Sequence, residues 1–158
     1  MKPNSLWAIT SYFNPGGYRS RRENYKIFRK HLNVPLLTIE LSFNGHFDLK
    51  PSDADVIVKK QSSNVMWQKE RLLNIALRYL PETCEQVAWL DCDIILKDPE
   101  WSKRTCQALV HYPLVQPFQK VYELSPGSHP AKTQIKSTDP DGYSIAYLLE
   151  RVRFHQKS

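Results

Sequence analysis

The chain has 158 residues, 41% of them hydrophobic and 11% aromatic, which is enough for one domain with a real core and excludes a disordered segment. Its formal net charge of +6 suits an anionic partner, whether nucleic acid, an acidic membrane or a phosphorylated small molecule. Three cysteines, Cys84, Cys92 and Cys106, form no C-x-x-C pair, so neither a disulfide framework nor a structural zinc site is expected.

In chain order, Leu6–Phe13 reads as a short buried strand, broken by Asn14-Pro15-Gly16-Gly17. Ser20–Leu32 reads as a helix, with Tyr25, Phe28 and Leu32 along one side and basic residues around the outside. Pro35–Phe43 predicts a second strand and Val56–Val58 a third. Asn64 is placed to cap a long helix that stops at Pro81. Gln86–Leu90 predicts a fourth strand, Trp101–Tyr112 a helix opened by Pro99, and Leu114–Phe118 a fifth strand. Ser125–Asp141 reads as loop and Tyr143–His155 as a final basic helix.

Strands alternating with helices predict an α/β fold with helix layers on a mostly parallel sheet. The expected organisation is a single domain over 1–158, with a core at 6–118 and a loop-rich tail at 119–158 ending in a helix. No apolar stretch approaches the ~20 residues needed to span a bilayer. No apolar secretory segment is read near Met1. The expectation is a cytoplasmic protein without a membrane span.

The most informative segment is Val87-Ala88-Trp89-Leu90-Asp91-Cys92-Asp93-Ile94. Here an apolar strand runs into two carboxylates one residue apart. Side chains alternate along a strand, so Asp91 and Asp93 are expected to point the same way and Cys92 the other, into packing. Adjacent carboxylates repel unless they share a cation, and Mg²⁺ or Mn²⁺ suits such oxygen ligands together with substrate phosphates. A solvated acidic turn is the bland alternative.

Lys69 is the second signal. On a wheel of ~100° per residue, Val65, Leu72, Leu73, Ala76 and Leu80 share one face and Lys69 falls in its middle. A lysine there must snorkel out or meet an anion, either a phosphate or Asp91. Arg71 lies off that stripe. Arg19, Arg21 and Arg22 follow the first strand and would border the same cleft, where a guanidinium fork suits phosphate; a solvated helix face is the alternative for each. Gly16-Gly17 belongs to neither a G-x-x-x-x-G-K-[ST] nor a G-x-G-x-x-G pattern, which weighs against P-loop and dinucleotide readings.

Trp89-Leu90-Asp91-Cys92-Asp93-Ile94, preceded by the helix Trp67-Gln68-Lys69-Glu70-Arg71-Leu72-Leu73-Asn74, resembles the nucleotide-diphospho-sugar transferases of the glycosyltransferase A fold. The likeness covers about residues 6–118. It implies a three-layer α/β/α fold of that type and a metal-dependent transferase moving sugar from a nucleoside-diphosphate donor to a hydroxyl acceptor. By resemblance, Asp91 lies near the ribose and metal, and Asp93 ligates the Mn²⁺ or Mg²⁺ that bridges the donor phosphates. Thr10, Ser11 and Tyr12 line the nucleotide pocket, Glu40 contacts the base, and Arg21, Lys69 and Arg71 face the donor.

Such transferases continue well beyond the metal motif, where acceptor site and base lie. The resemblance therefore implies the donor-binding half, in a shortened chain completed by a partner chain or oligomer. No catalytic base is identified. Three rivals are weighed. One is a non-catalytic nucleotide-sugar-binding module. Another is a phosphatase of the haloacid dehalogenase type, in which Asp91 is the nucleophile, although Ile95 stands where that pattern wants Thr or Val. The third is a nucleic-acid binder, disfavoured because no reader motif accompanies the basic residues.

Overall fold

A computed structural model describes residues 5–66, 68–124, 140–145 and 147. The chain gathers into two compact units, 1–110 and 111–158.

In the first unit, β1 (Leu6–Phe13), β2 (Leu36–Ser42), β3 (Val56–Gln61) and β4 (Gln86–Trp89) form a parallel sheet in the order β3-β2-β1-β4. Parallel neighbours need crossover connections. Helix α1 (Arg19–His31) lies between β1 and β2 in the chain, and α2 (Lys69–Ala76), extended by a 3₁₀ turn at Leu77–Tyr79, lies between β3 and β4. Helix α3 (Trp101–Leu109) follows β4. The unit is thus an α/β structure.

Strand alternation divides the core into two layers. Leu6, Ala8, Tyr12, Leu36 and Ala88 pack against Tyr25 and Phe28 of α1 and Trp101 and Cys106 of α3. Ile9, Leu37, Ile39 and Val58 pack against Leu72, Leu73 and Ala76 of α2. Each large side chain in these layers contributes about 1.5–3 kcal/mol by burial. α1 keeps Arg29, Lys30 and His31 in its last turn, where cations favour the carbonyl end of the helix.

Differences from the sequence expectations have local causes. The helix expected from Asn64 begins at Lys69. Asn64 gives its N–H to the Ser62 hydroxyl, and Val65 and Met66 are exposed, so the chain makes a side-chain-closed turn before the helix. The helix expected to reach Tyr112 ends at Leu109. No strand forms over 114–118, where Pro113 and Pro117 remove backbone donors and Leu114 is exposed.

In the second unit, β5 (Lys120–Val121) pairs antiparallel with β6 (Gly142–Tyr143), a pairing with no sequence signal of its own. The Glu123 N–H donates to Asp141 Oδ2 at 2.7 Å. Most of the loop expected over 125–141, and most of the helix expected over 143–155, lie outside the described residues. Among the described residues no helix is long and apolar enough to cross a membrane.

Candidate functional site

β1, β2 and β3 build outward in one direction, and β4 then pairs on the other side of β1. That reversal is a topological switch point, and in open α/β sheets ligands bind outside the carboxyl ends of the strands at such a point. Asp91 and Asp93 follow β4 there, beside Ser11 and Phe13 at the end of β1.

The two carboxylates sit just beyond the strand. Leu90 still donates to the Ile9 carbonyl at 3.1 Å and is buried on the α1 side, after which the chain leaves the sheet and turns at Cys92 and Asp93. A turn therefore does what strand alternation was expected to do, and both carboxylates line one open cleft of about 220 Å³. Ser11 and Phe13 of β1, Leu41 of β2 and Arg21 of α1 form part of its wall. Met66, Gln68, Lys69 and Leu72, on α2 and the segment leading into it, form the rest together with Cys92.

The charges are ordered. Lys69 donates from Nζ to Asp91 Oδ1, with side chains 29% and 53% exposed. This is one of the two anions expected for the lysine. Arg21 is anchored by Nη1 to the Phe13 carbonyl at 2.7 Å, which holds its guanidinium at the end of β1. Cys92 packs partly against the core, and burial first, then Asp93, pushes its thiol up to about 11, so it stays neutral at physiological pH.

The residues expected around a ligand thus divide. Ser11, Arg21, Lys69, Asp91 and Asp93 line the cleft. Arg71 does not: it is exposed and bonds the Gln68 side chain at 3.3 Å. Thr10, Tyr12 and Glu40 do not line it either. Their alternate positions on β1 and β2 put them on the opposite face, fully buried under α1 or the loop after β2.

That opposite face has its own polar network. Glu40, 2% exposed, accepts the N–H groups of Asp48 (2.6 Å) and Leu49 (3.2 Å) on Oε1, while its buried Oε2 has no partner among the described residues. Burial outweighs those hydrogen bonds and raises its pKa. Asp48, whose side chain is 8% exposed, accepts from the Tyr12 hydroxyl at 3.0 Å and the Asn14 amide at 2.7 Å, with Arg22 at 3.7 Å. Burial, then Asp48, raises the Tyr12 hydroxyl's pKa. Glu40 is therefore bonded to the backbone of its own loop, where the resemblance had given it a base contact.

Sequence reasoning missed Phe13, Leu41, Met66, Gln68 and Leu72. The signal for two of them was present: Phe13 follows Ser11 by two residues, and Leu41 shares the parity of Ile39. Met66 and Gln68 had none, because the turn before α2 was read as helix.

Asp91 and Asp93 are the residues that could hold a hard divalent cation. Two exposed carboxylates supply oxygen ligands, and phosphate and water would complete the shell. Among the described residues no three or more His, Cys, Asp or Glu side chains come together as a group that could hold a metal ion. Comparison with protein-family models, curated proteins and solved structures finds no match for this chain.

Proposed function

We propose that this cleft binds the diphosphate of a nucleoside-diphosphate sugar together with Mn²⁺ or Mg²⁺, and that the chain is a metal-dependent glycosyltransferase or its donor-binding half, of the glycosyltransferase A type. The observation that carries the reading is the convergence of Asp91, Asp93, Lys69 and Arg21 on one cleft at the switch point of a parallel sheet. Two cations and two carboxylates balance there. A divalent metal entering with a diphosphate adds charges that nearly cancel, so the complex forms without leaving a strong local field.

The metal would act as a Lewis acid and template for the leaving diphosphate. Asp93 would hold it, and Arg21 and Lys69 would meet phosphate oxygens. The apolar part of the wall, Phe13, Leu41 and Leu72, would exclude water from one side of the ligand. The cleft is smaller than the ~300–1,000 Å³ of a whole ligand site, so it would seat the phosphates with part of the ligand lying outside. An acceptor hydroxyl would attack the anomeric carbon as its C–O bond to the diphosphate breaks, the diphosphate leaving with the bonding pair and the hydroxyl proton passing to solvent.

Asp93→Asn tests this. It keeps the shape of an exposed side chain and removes the charge that would bind metal. The folded variant should lose Mn²⁺-dependent binding of a nucleoside diphosphate in calorimetry. Binding equal to the parent's rejects the metal site.

A further inference from the structure

We propose that Lys69 serves as a built-in counter-cation that occupies the Asp91 carboxylate until a metal–diphosphate complex arrives, so that metal and diphosphate favour each other's binding. This rests on the nucleoside-diphosphate reading given above. Two observations point to it. The carboxylates are unequal: Asp91 is bonded to the Lys69 ammonium, while Asp93 has no hydrogen-bond or ion-pair partner among the described residues. Lys69 is also the first residue of α2 and lines the cleft wall, where its head meets Asp91 at the end of a flexible stem.

A metal ion alone meets a pair whose charge is already half compensated, and it must displace the ammonium to use both carboxylates. A metal carrying a diphosphate brings phosphate oxygens to which the ammonium can transfer. Lys69 then exchanges Asp91 Oδ1 for phosphate, and Asp91 is released toward the metal and the sugar end of the ligand. The same lysine opposes metal binding alone and favours the ternary complex. That opposition of signs separates this role from simple phosphate attraction, and by linkage it makes metal and diphosphate raise each other's affinity.

The test is Mn²⁺ binding to the full chain, read from the electron paramagnetic resonance signal of the free ion. Parent, Lys69→Met, Lys69→Gln and Asp93→Asn are compared, without nucleotide and then with ADP, CDP, GDP and UDP in turn. Lys69→Gln keeps a hydrogen-bonding head if the methionine variant folds poorly. The expected result is Mn²⁺ bound alone roughly three- to tenfold more tightly by both Lys69 variants than by the parent, because a competing cation has gone. With nucleoside diphosphate the order should reverse, the variants binding about tenfold more weakly. Parent binding of Mn²⁺ with nucleotide, but no gain for Mn²⁺ alone in either Lys69 variant, overturns the counter-cation role and leaves the metal–diphosphate reading standing. Silence from every protein under every condition overturns both.

Discussion

Glu40 lies on β2 and Asp91 just beyond β4, the two strands that flank β1, and both lie toward the carboxyl edge of the same sheet. Their surroundings are opposed. Glu40 is buried beneath the loop after β2, with one carboxylate oxygen on two backbone N–H groups. Asp91 is half open to solvent, paired with Lys69 and two residues from Asp93, which has no hydrogen-bond or ion-pair partner among the described residues. Glu40 holds a loop, and its second oxygen is buried on the face away from the cleft. Among the described residues Asp91 and Asp93 tie down no backbone group, and the partner of Asp91 is a side chain, Lys69. A carboxylate at the end of a strand is therefore assigned by where its hydrogen bonds go, and its position in the chain does not decide.

Five substitutions can break or sharpen that contrast. Glu40→Ala should have the largest effect, because it strands two buried N–H groups and opens a cavity; a loss of about 3 kcal/mol is expected in urea unfolding. A loss under about 1 kcal/mol would mean that the loop does not depend on Glu40.

Tyr25→Phe comes next. The Tyr25 hydroxyl meets Thr38 Oγ1 at 2.8 Å and donates to the Asp53 carbonyl at 3.2 Å, tying α1 to the same buried polar layer. Its removal should cost about 1–2 kcal/mol by thermal unfolding. No change would place the layer's stability in packing alone.

A smaller, pH-dependent effect is expected for Glu40→Gln. Burial raises the folded-state pKa of Glu40 above its unfolded value, so the folded protein holds that proton more tightly. The stability this confers is complete below the unfolded pKa and is lost as pH rises through the raised folded value. Parent stability relative to Glu40→Gln should therefore fall as pH increases across that window, followed by denaturant midpoints. A flat difference, or one that rises with pH, contradicts the burial of an ionisable group there.

Asp91→Asn and Asp93→Asn should be the mildest for folding, each within about 0.5 kcal/mol of the parent, as expected of exposed side chains. If either costs as much as Glu40→Ala, the acidic turn is structural and the contrast between the two regions disappears.

Much of the architecture was legible because strands and buried helices leave periodic marks. The apolar run Leu6–Phe13 coincides with β1, and α1 and β2 differ from expectation only at their margins. Lys69 stood out because a charge in the middle of an apolar stripe needs an anion, and Asp91 is that anion. The errors came from places where a period was applied too far or ignored. Thr10, Ser11 and Tyr12 are consecutive in a strand, so they cannot share a face; the rule that aligned Asp91 with Asp93 would have separated them. The stripe including Val65 was extended through a stretch whose backbone is taken by the Ser62 hydroxyl. The partnership of Glu40 with Asp48 and Leu49 left no mark at all, because a side chain bonding backbone eight and nine residues away follows no local period.

The most direct test of the central claim is calorimetric titration of the unaltered chain with ADP, CDP, GDP and UDP, each in Mn²⁺ and again in excess chelator. The account predicts that at least one nucleoside diphosphate binds in Mn²⁺ and that its binding collapses when the metal is removed. Nucleotide binding of equal strength with and without metal, or none of the four binding in Mn²⁺, would contradict the assignment of Asp91 and Asp93 to a metal–diphosphate site.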